Sequence, residues 1–217
     1  AALFAQEMRI TGVVEDDLRI LCQNLYIDGT VKGDVVVVAN SVIVNGTIEG
    51  DLLAGGQVIL VNGTVGDDAR IAGQALVLGE NGNVTDDMVA AGFSLEARPG
   101  SQVGGDLWGG YYQGRLAGEV VGDVTGGGGG LGISGNIAGN VDVELGDANN
   151  TPAVSFTQFM PPLPGDVTLP DISQGLTVVE GAEISGELKY TSPSKGGIHS
   201  GAEVGSVVYV ESVLPVD

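Results

Sequence analysis

Residues 25–52 read LYIDGTVKGDVVVVANSVIVNGTIEGDL, one sequence unit followed by most of its copy. Asp28-Gly29-Thr30 returns as Asn45-Gly46-Thr47. Val31-Lys32-Gly33-Asp34-Val35 returns as Ile48-Glu49-Gly50-Asp51-Leu52, and each step is 17 residues. A fixed period of this length marks a solenoid, in which each unit buries its apolar face only against the next.

The period can be followed outward by its apolar columns. One lies two residues after a recurring Gly: Val14, Val31, Ile48, Val65, Val84, Val103, Val120 and Ile137, then Ile184 and Val204 after a gap. A second lies four residues later, from Leu18, Val35 and Leu52 through Leu107 to Leu188 and Val208. Further pairs are Leu25/Ile27, Val42/Val44, Ile59/Val61 and Leu76/Leu78. Paired apolar residues two apart are the alternation of a strand, and Gly, Asn and Asp bound each segment. Each period therefore reads as one coil of a parallel β-helix, with strands about 4.8 Å from coil to coil. Nine or ten coils are expected, and Val14, Val31, Val42, Val44, Ile48, Leu52, Val65 and Ile137 should point inward. From Gly79 two steps lengthen to 19 residues, which predicts corner loops at Gly79–Gly82 and near Arg98–Ser101.

Gly-x-Val-x-Gly-Asp-Val followed by two short Val/Ile strands, as in Gly29–Val44 and Gly46–Val61, resembles the bactofilin, or polymer-forming cytoskeletal, family. The likeness covers roughly residues 8–145 and returns more weakly over 175–210. It implies a right-handed parallel β-helix that polymerises end to end without a nucleotide. The chain is longer and more acidic than cytoplasmic members. It looks more like exported, envelope-associated relatives, so an extracellular or envelope location is expected, with a cytoplasmic cytoskeleton as the alternative.

The formal net charge is −20 over 217 residues, with 8 Lys and Arg against 28 Asp and Glu. Phosphate backbones need clustered cations, so nucleic acid is excluded as a partner class. No apolar run approaches the ~20 residues of a membrane-spanning helix. The 38 glycines would suggest disorder alone, but 43% hydrophobic residues argue for a packed repeat with glycine corners. The one cysteine, Cys22, reads as a small residue in or near the core.

Residues 1–8 read as an N-terminal arm, either the small-residue end of a secretory signal or an apolar segment that packs on a neighbour. Coils fill 9–145. Residues 146–172 hold five of the eight prolines and break the period, so they form an excursion, and 173–217 carry the final coils and a tail. Phe156, Phe159 and Met160 in the excursion must bury against the flank or on a neighbouring subunit. Five glycines at 126–130 lack the Lys and Ser/Thr of a phosphate loop and read as a turn within one coil.

Candidate sites follow from the columns. Asp34, Asp51, Asp68, Asp106 and Asp123 share one corner. They would either ladder calcium or bond corner amides in a solvated edge. Calcium is the only cofactor candidate. Trp108, Tyr111 and Tyr112 form the aromatic cluster. They serve as edge packing over a coil whose inward positions shrink to Gly109 and Gly114, or as a ligand or lateral contact. Asn149 is the favoured glycosylation acceptor among four sequons. His199, the only histidine, has no evident catalytic partner, and no carboxylate pair stands out, so no enzyme is expected. The expected function is a structural subunit that stacks end to end with copies of itself. Leu3, Phe4, Met8, Phe156, Phe159, Met160, Val208 and Val210 are the interface candidates. A proline at Val210 should remove a donor from the terminal edge. The alternative is a monomeric adhesin or polysaccharide-binding β-helix.

Overall fold

The computed structural model describes residues 2–149, 163 and 167–212. Every element in them is a strand, and every pairing is parallel. Ten-residue strands alternate with two-residue strands. The sequence starts β1 (Ala2–Ile10), β2 (Val13–Val14), β3 (Leu18–Ile27), β4 (Thr30–Val31), β5 (Val35–Val44), β6 (Thr47–Ile48), β7 (Leu52–Val61), β8 (Thr64–Val65) and β9 (Ala69–Leu78). It continues through β10 (Asn83–Val84), β11 (Met88–Ala97), β12 (Gln102–Val103), β13 (Leu107–Leu116), β14 (Glu119–Val120), β15 (Val124–Ile133), β16 (Asn136–Ile137) and β17 (Val141–Leu145). After the excursion come β18 (Gly175–Val178), β19 (Glu183–Ser192), β20 (Gly197–Ile198) and β21 (Glu203–Glu211).

The result is a parallel β-solenoid of about 11 coils. Each coil has three faces. The two-residue strands stack as the first face, β2 on β4 on β6. The long strands each supply two faces, because pairing is interrupted at one position. Val35–Ala39 pairs with Leu52–Gly56, Asn40 and Gln57 are skipped, and Ser41–Val44 pairs with Val58–Val61. Burial in β5 changes at the same place, alternating over 35–39 and then continuous over 41–44. The skipped residue is the corner between the second and third faces.

The interior is the stack of columns read from the period. Val31, Val35, Val42, Val44, Ile48, Leu52, Val65 and Ile137 are fully buried. Val14 is only half-buried, because β2 is the first strand of its face and has a neighbour on one side only. The N-terminal residues are not a separate arm. Ala2–Ile10 is a complete second-and-third-face strand, with Met8 and Ile10 in the columns of Leu25 and Ile27. It lacks the Gly-Asp motif, which is why the column count stopped one coil short.

The lengthened steps are corner loops. Gly82 N–H bonds the Gly79 carbonyl at 2.8 Å and Ser101 N–H the Arg98 carbonyl at 3.0 Å. Gly100, at φ 91°, takes the left-handed angle that the second loop requires. The five glycines span the second corner of their coil, with Gly129 at the skipped position that Tyr112 holds in the coil before. They lie within β15, where Gly128 N and Cα pass over Tyr111, and a Cβ there would run into its carbonyl oxygen.

The excursion interrupts one coil at its second corner. β17 continues the second face onto Val124–Gly128, and β18 completes the third face onto Gly130–Ile133. The repeat thus resumes at Gly175, six residues before the motif at Gly181 makes it visible. The returning limb lies on the outside of the third face. Val167, with Leu163 and Leu169, packs on Val58, Leu60, Ala75 and Val77. The Gln113 amide donates to the Pro170 carbonyl.

Candidate functional site

The corner ahead of the second face carries one acidic residue per coil. Each Oδ1 accepts the backbone N–H of its counterpart one coil on. The ladder runs from Asp17 through Asp34, Asp51, Asp68, Asp87, Asp106 and Asp123, with distances from 2.6 to 3.2 Å. Asn140 continues it, its Oδ1 taking the Glu187 N–H at 2.9 Å. A tight turn leaves these amides without a strand partner, and the short acidic side chain supplies one. Asn does the same with its amide oxygen, so the role needs an acceptor rather than a charge.

Carboxylates this close repel, and the chain answers locally with arginine. Arg70 bridges Asp68 at 2.6 Å and Asp51 at 3.5 Å, and Arg19 bonds Asp17 at 3.0 Å. Asp51, Asp67 and Asp68, and again Asp68, Asp86 and Asp87, bring three carboxylates within ion-holding distance. In the first group Arg70 already supplies the cation. In the second, Asp87 and then lesser burial and more distant carboxylates hold the Asp86 carboxyl above its usual range. Among the described residues Asp34, Asp106 and Asp123 belong to neither group, so the five calcium candidates are not gathered into one three-carboxylate site.

The aromatic residues separate. Tyr111 turns inward and is buried, which withdraws it from ligand contact. Its ring fills the space left in two columns by Gly109 and Gly114. A Cβ on Gly109 would lie 2.7 Å from Tyr111 Cε1, and one on Gly114 2.6 Å from Cε2. Burial holds the Tyr111 phenol well above the ordinary tyrosine range. Tyr112 sits at the second corner and stacks on Phe93 one coil below, with ring centroids 5.0 Å apart. Only Trp108 is well exposed, at 38%, on the outside of the second face.

His199 is exposed and caps a turn, its Nδ1 accepting the Gly201 N–H at 3.1 Å. Cys22 is half-buried against the core, and burial raises its thiol. Asn149 is exposed in a turn held by Asp147, whose Oδ1 accepts its N–H at 2.9 Å. The Ser194 hydroxyl and that amide hold the Asp147 carboxyl below its usual range. Phe156, Phe159 and Met160 lie outside the described residues.

At the two terminal coils the apolar columns are unfinished. Met8, Ile10, Val14, Leu18 and Cys22 at one end, and Ile198, Val204 and Tyr209 at the other, are only partly buried where their interior equivalents are sealed. The backbone of Leu3 and Phe4 pairs with Ile20 and Leu21. The last coil is one residue shorter at its acidic corner, where the register shifts between Ile184 and Glu187. Leu188 therefore pairs with Val207, not with Val208. Val208 and Val210 then point outward from the second face and are exposed. The Ser212 N–H bonds the Ser192 carbonyl at 3.1 Å. Backbone groups of a parallel strand alternate sides, so Val210 also faces β19, and Val207, Tyr209 and Glu211 present their N–H groups to the outer edge. A proline at Val210 would break an interior bond instead of an edge.

No protein-family model, no curated protein and no solved structure matches this chain.

Proposed function

We propose that the chain is a structural subunit whose solenoids stack end to end into a filament or sheath-like polymer. The observation that carries this reading is the pair of unfinished apolar stacks. Half-buried Met8, Ile10, Leu18 and Cys22 would meet the partly buried Val204 and Tyr209 and the exposed Val207 of the next copy. Parallel strand-on-strand pairing recurs from coil to coil, and a joint between copies would ask for the same kind of pairing. Among the described residues, the outer edges of β1 and β21 have no strand partner, and such edges pair with other chains. The resemblance to bactofilins agrees with this function, and an exported or envelope location goes with it as part of the proposal. In the competing reading, an adhesin or polysaccharide binder, exposed Trp108 would contact the ligand.

The test removes the edge without touching the interior. Glu211→Pro deletes an outward N–H, and Val207→Asp puts a charge into the joint. Electron microscopy and sedimentation should find filaments of the native chain and short rods of both variants, with unchanged circular dichroism. Filaments of normal length from both variants would refute end-to-end stacking through this coil, and single rods from the native chain would favour the monomeric binder.

A further inference from the structure

Between β5 and β13 the outside of the second face is a largely apolar surface of two unlike columns. The first carries bulky side chains. Val36, Leu53, Val89 and Trp108 are exposed by 36, 51, 40 and 38%, and Arg70 stands between Leu53 and Val89 with its guanidinium drawn onto Asp68 and Asp51 at the acidic corner. The second, two residues along each strand, is small from the fourth coil to the eighth: Gly55, Ala72, Ala91, Gly110 and Gly127. Among the described residues nothing lies over this face. The third face has a similar apolar exterior, and there the chain supplies its own cover through Leu163, Val167 and Leu169.

Two of the small residues are not required by the fold. A Cβ on Gly110 would meet nothing within 4 Å, and one on Gly55 only Val38 Cγ2 at 4.0 Å. Interior corner glycines such as Gly29, Gly46 and Gly63 are different, since a Cβ there would strike the carbonyl of the preceding coil. Glycine in a strand costs roughly 0.5–1 kcal/mol against a residue with a side chain. Gly55 and Gly110 therefore weaken their own strands and leave a shallow channel beside the bulky column.

We propose that this face pairs with the same face of a second copy, about a two-fold axis parallel to the rod. That axis reverses the strand direction but keeps coil opposite coil. Leu53, Val89 and Trp108 of each copy then lie over Gly55, Ala91 and Gly110 of the other, and Arg70, still paired with Asp51 and Asp68 of its own chain, lies over Ala72. It also sets the Asp34–Asp123 corner of one copy opposite the Asn40, Gln57 and Gln74 corner of the other. The remaining in-plane axis, along the strands, would instead bring the two acidic columns together, and like charges at that distance repel. Six strands about 4.8 Å apart and five residues of about 3.3 Å give a footprint of roughly 450 Å² per copy. Doubled, that is close to the ~1,000 Å² at which specific interfaces begin. The pairing is weak for single rods and strengthens when rods are joined in line. It does not depend on end-to-end stacking.

The experiment uses the full chain carrying Glu211→Pro, and the unmodified chain in parallel, by sedimentation equilibrium. A concentration-dependent dimer is expected in the Glu211→Pro chain. Gly55→Thr with Gly110→Thr should keep the fold, raise the unfolding midpoint, and lower dimer association at least tenfold. Orientation is read in a Cys22→Ala background. Chains with Val89→Cys mixed with chains carrying Ala91→Cys should form the mixed disulfide, whereas the other axis gives self-linked Val89→Cys pairs. Three results would overturn the proposal: Glu211→Pro rods that stay single at every concentration, association unaltered when both glycines are filled, or self-linked pairs alone. Loss of filaments with the dimer retained would separate this surface from the ends.

Discussion

Tyr111 and Gly114 offer a double-mutant cycle whose outcome is set by the packing. Gly114 falls in the column of Leu95 and Leu131, so every neighbouring coil has leucine where this one has nothing. The Tyr111 ring enters from the corner and occupies that place. Tyr111→Ala removes a buried ring and should cost about 3–5 kcal/mol, as large-to-small aromatic changes in cores do. Gly114→Leu alone drives a side chain into the ring and should cost about 1–3 kcal/mol or more. Independent effects would sum to about 4–8 kcal/mol. If the ring and the missing leucine fill one space, the double variant restores the ordinary column. It should then lose less than Tyr111→Ala alone, a coupling of about 2 kcal/mol or more. Chemical denaturation of the four proteins, followed by far-ultraviolet circular dichroism, gives the cycle. Additivity within about 0.5 kcal/mol would show that the two residues do not share a cavity.

Five further outcomes follow from the corners and the strap. Asp106→Ala deprives the Asp123 N–H of its acceptor and should cost about 1 kcal/mol, while Asp106→Asn, which copies Asn140, should cost little; equal losses would make charge the operative property. If corner carboxylates serve as amide acceptors, calcium and chelator should give the same thermal midpoint, and a midpoint raised by calcium would restore the ion ladder. Asp86 has its folded carboxyl raised by Asp87, so its contribution to stability is full in acid and lost as pH rises through its folded value; Asp86→Asn should raise the midpoint at neutral pH and not in acid. Asp147 runs oppositely, its contribution being lost as pH falls through its lowered value. Val167→Ala should cost about 1–2 kcal/mol in the protection of Gln113 and the strands beneath the strap, read by hydrogen exchange, with less effect on the N-terminal coils.

The period of 17 was enough to determine a parallel solenoid and most of its inward residues, because stacking identical units leaves one way to bury a column of Val, Ile and Leu. The acidic corner was legible for the same reason: a residue type repeated at one place in a turn answers a need repeated in every coil. Tyr111 was not. Its neighbours Trp108 and Tyr112 look alike in sequence, and only the void left by Gly109 and Gly114 turns one of the three inward. The first coil carries strand without motif and cannot be counted from local spacing, and the coil holding β17 and β18 is split by 29 residues, so its third face at Gly175 is hidden from the period. The one-residue shortening before Val207 exchanges inside for outside along the last strand, since side chains alternate with a period of two. The bare second face and the covered third face read alike along the chain. Which of them the strap lies on was decided by where the Pro-rich segment returns to the rod, a contact between residues more than 80 apart in sequence, Val167 on Val77, that no periodicity encodes.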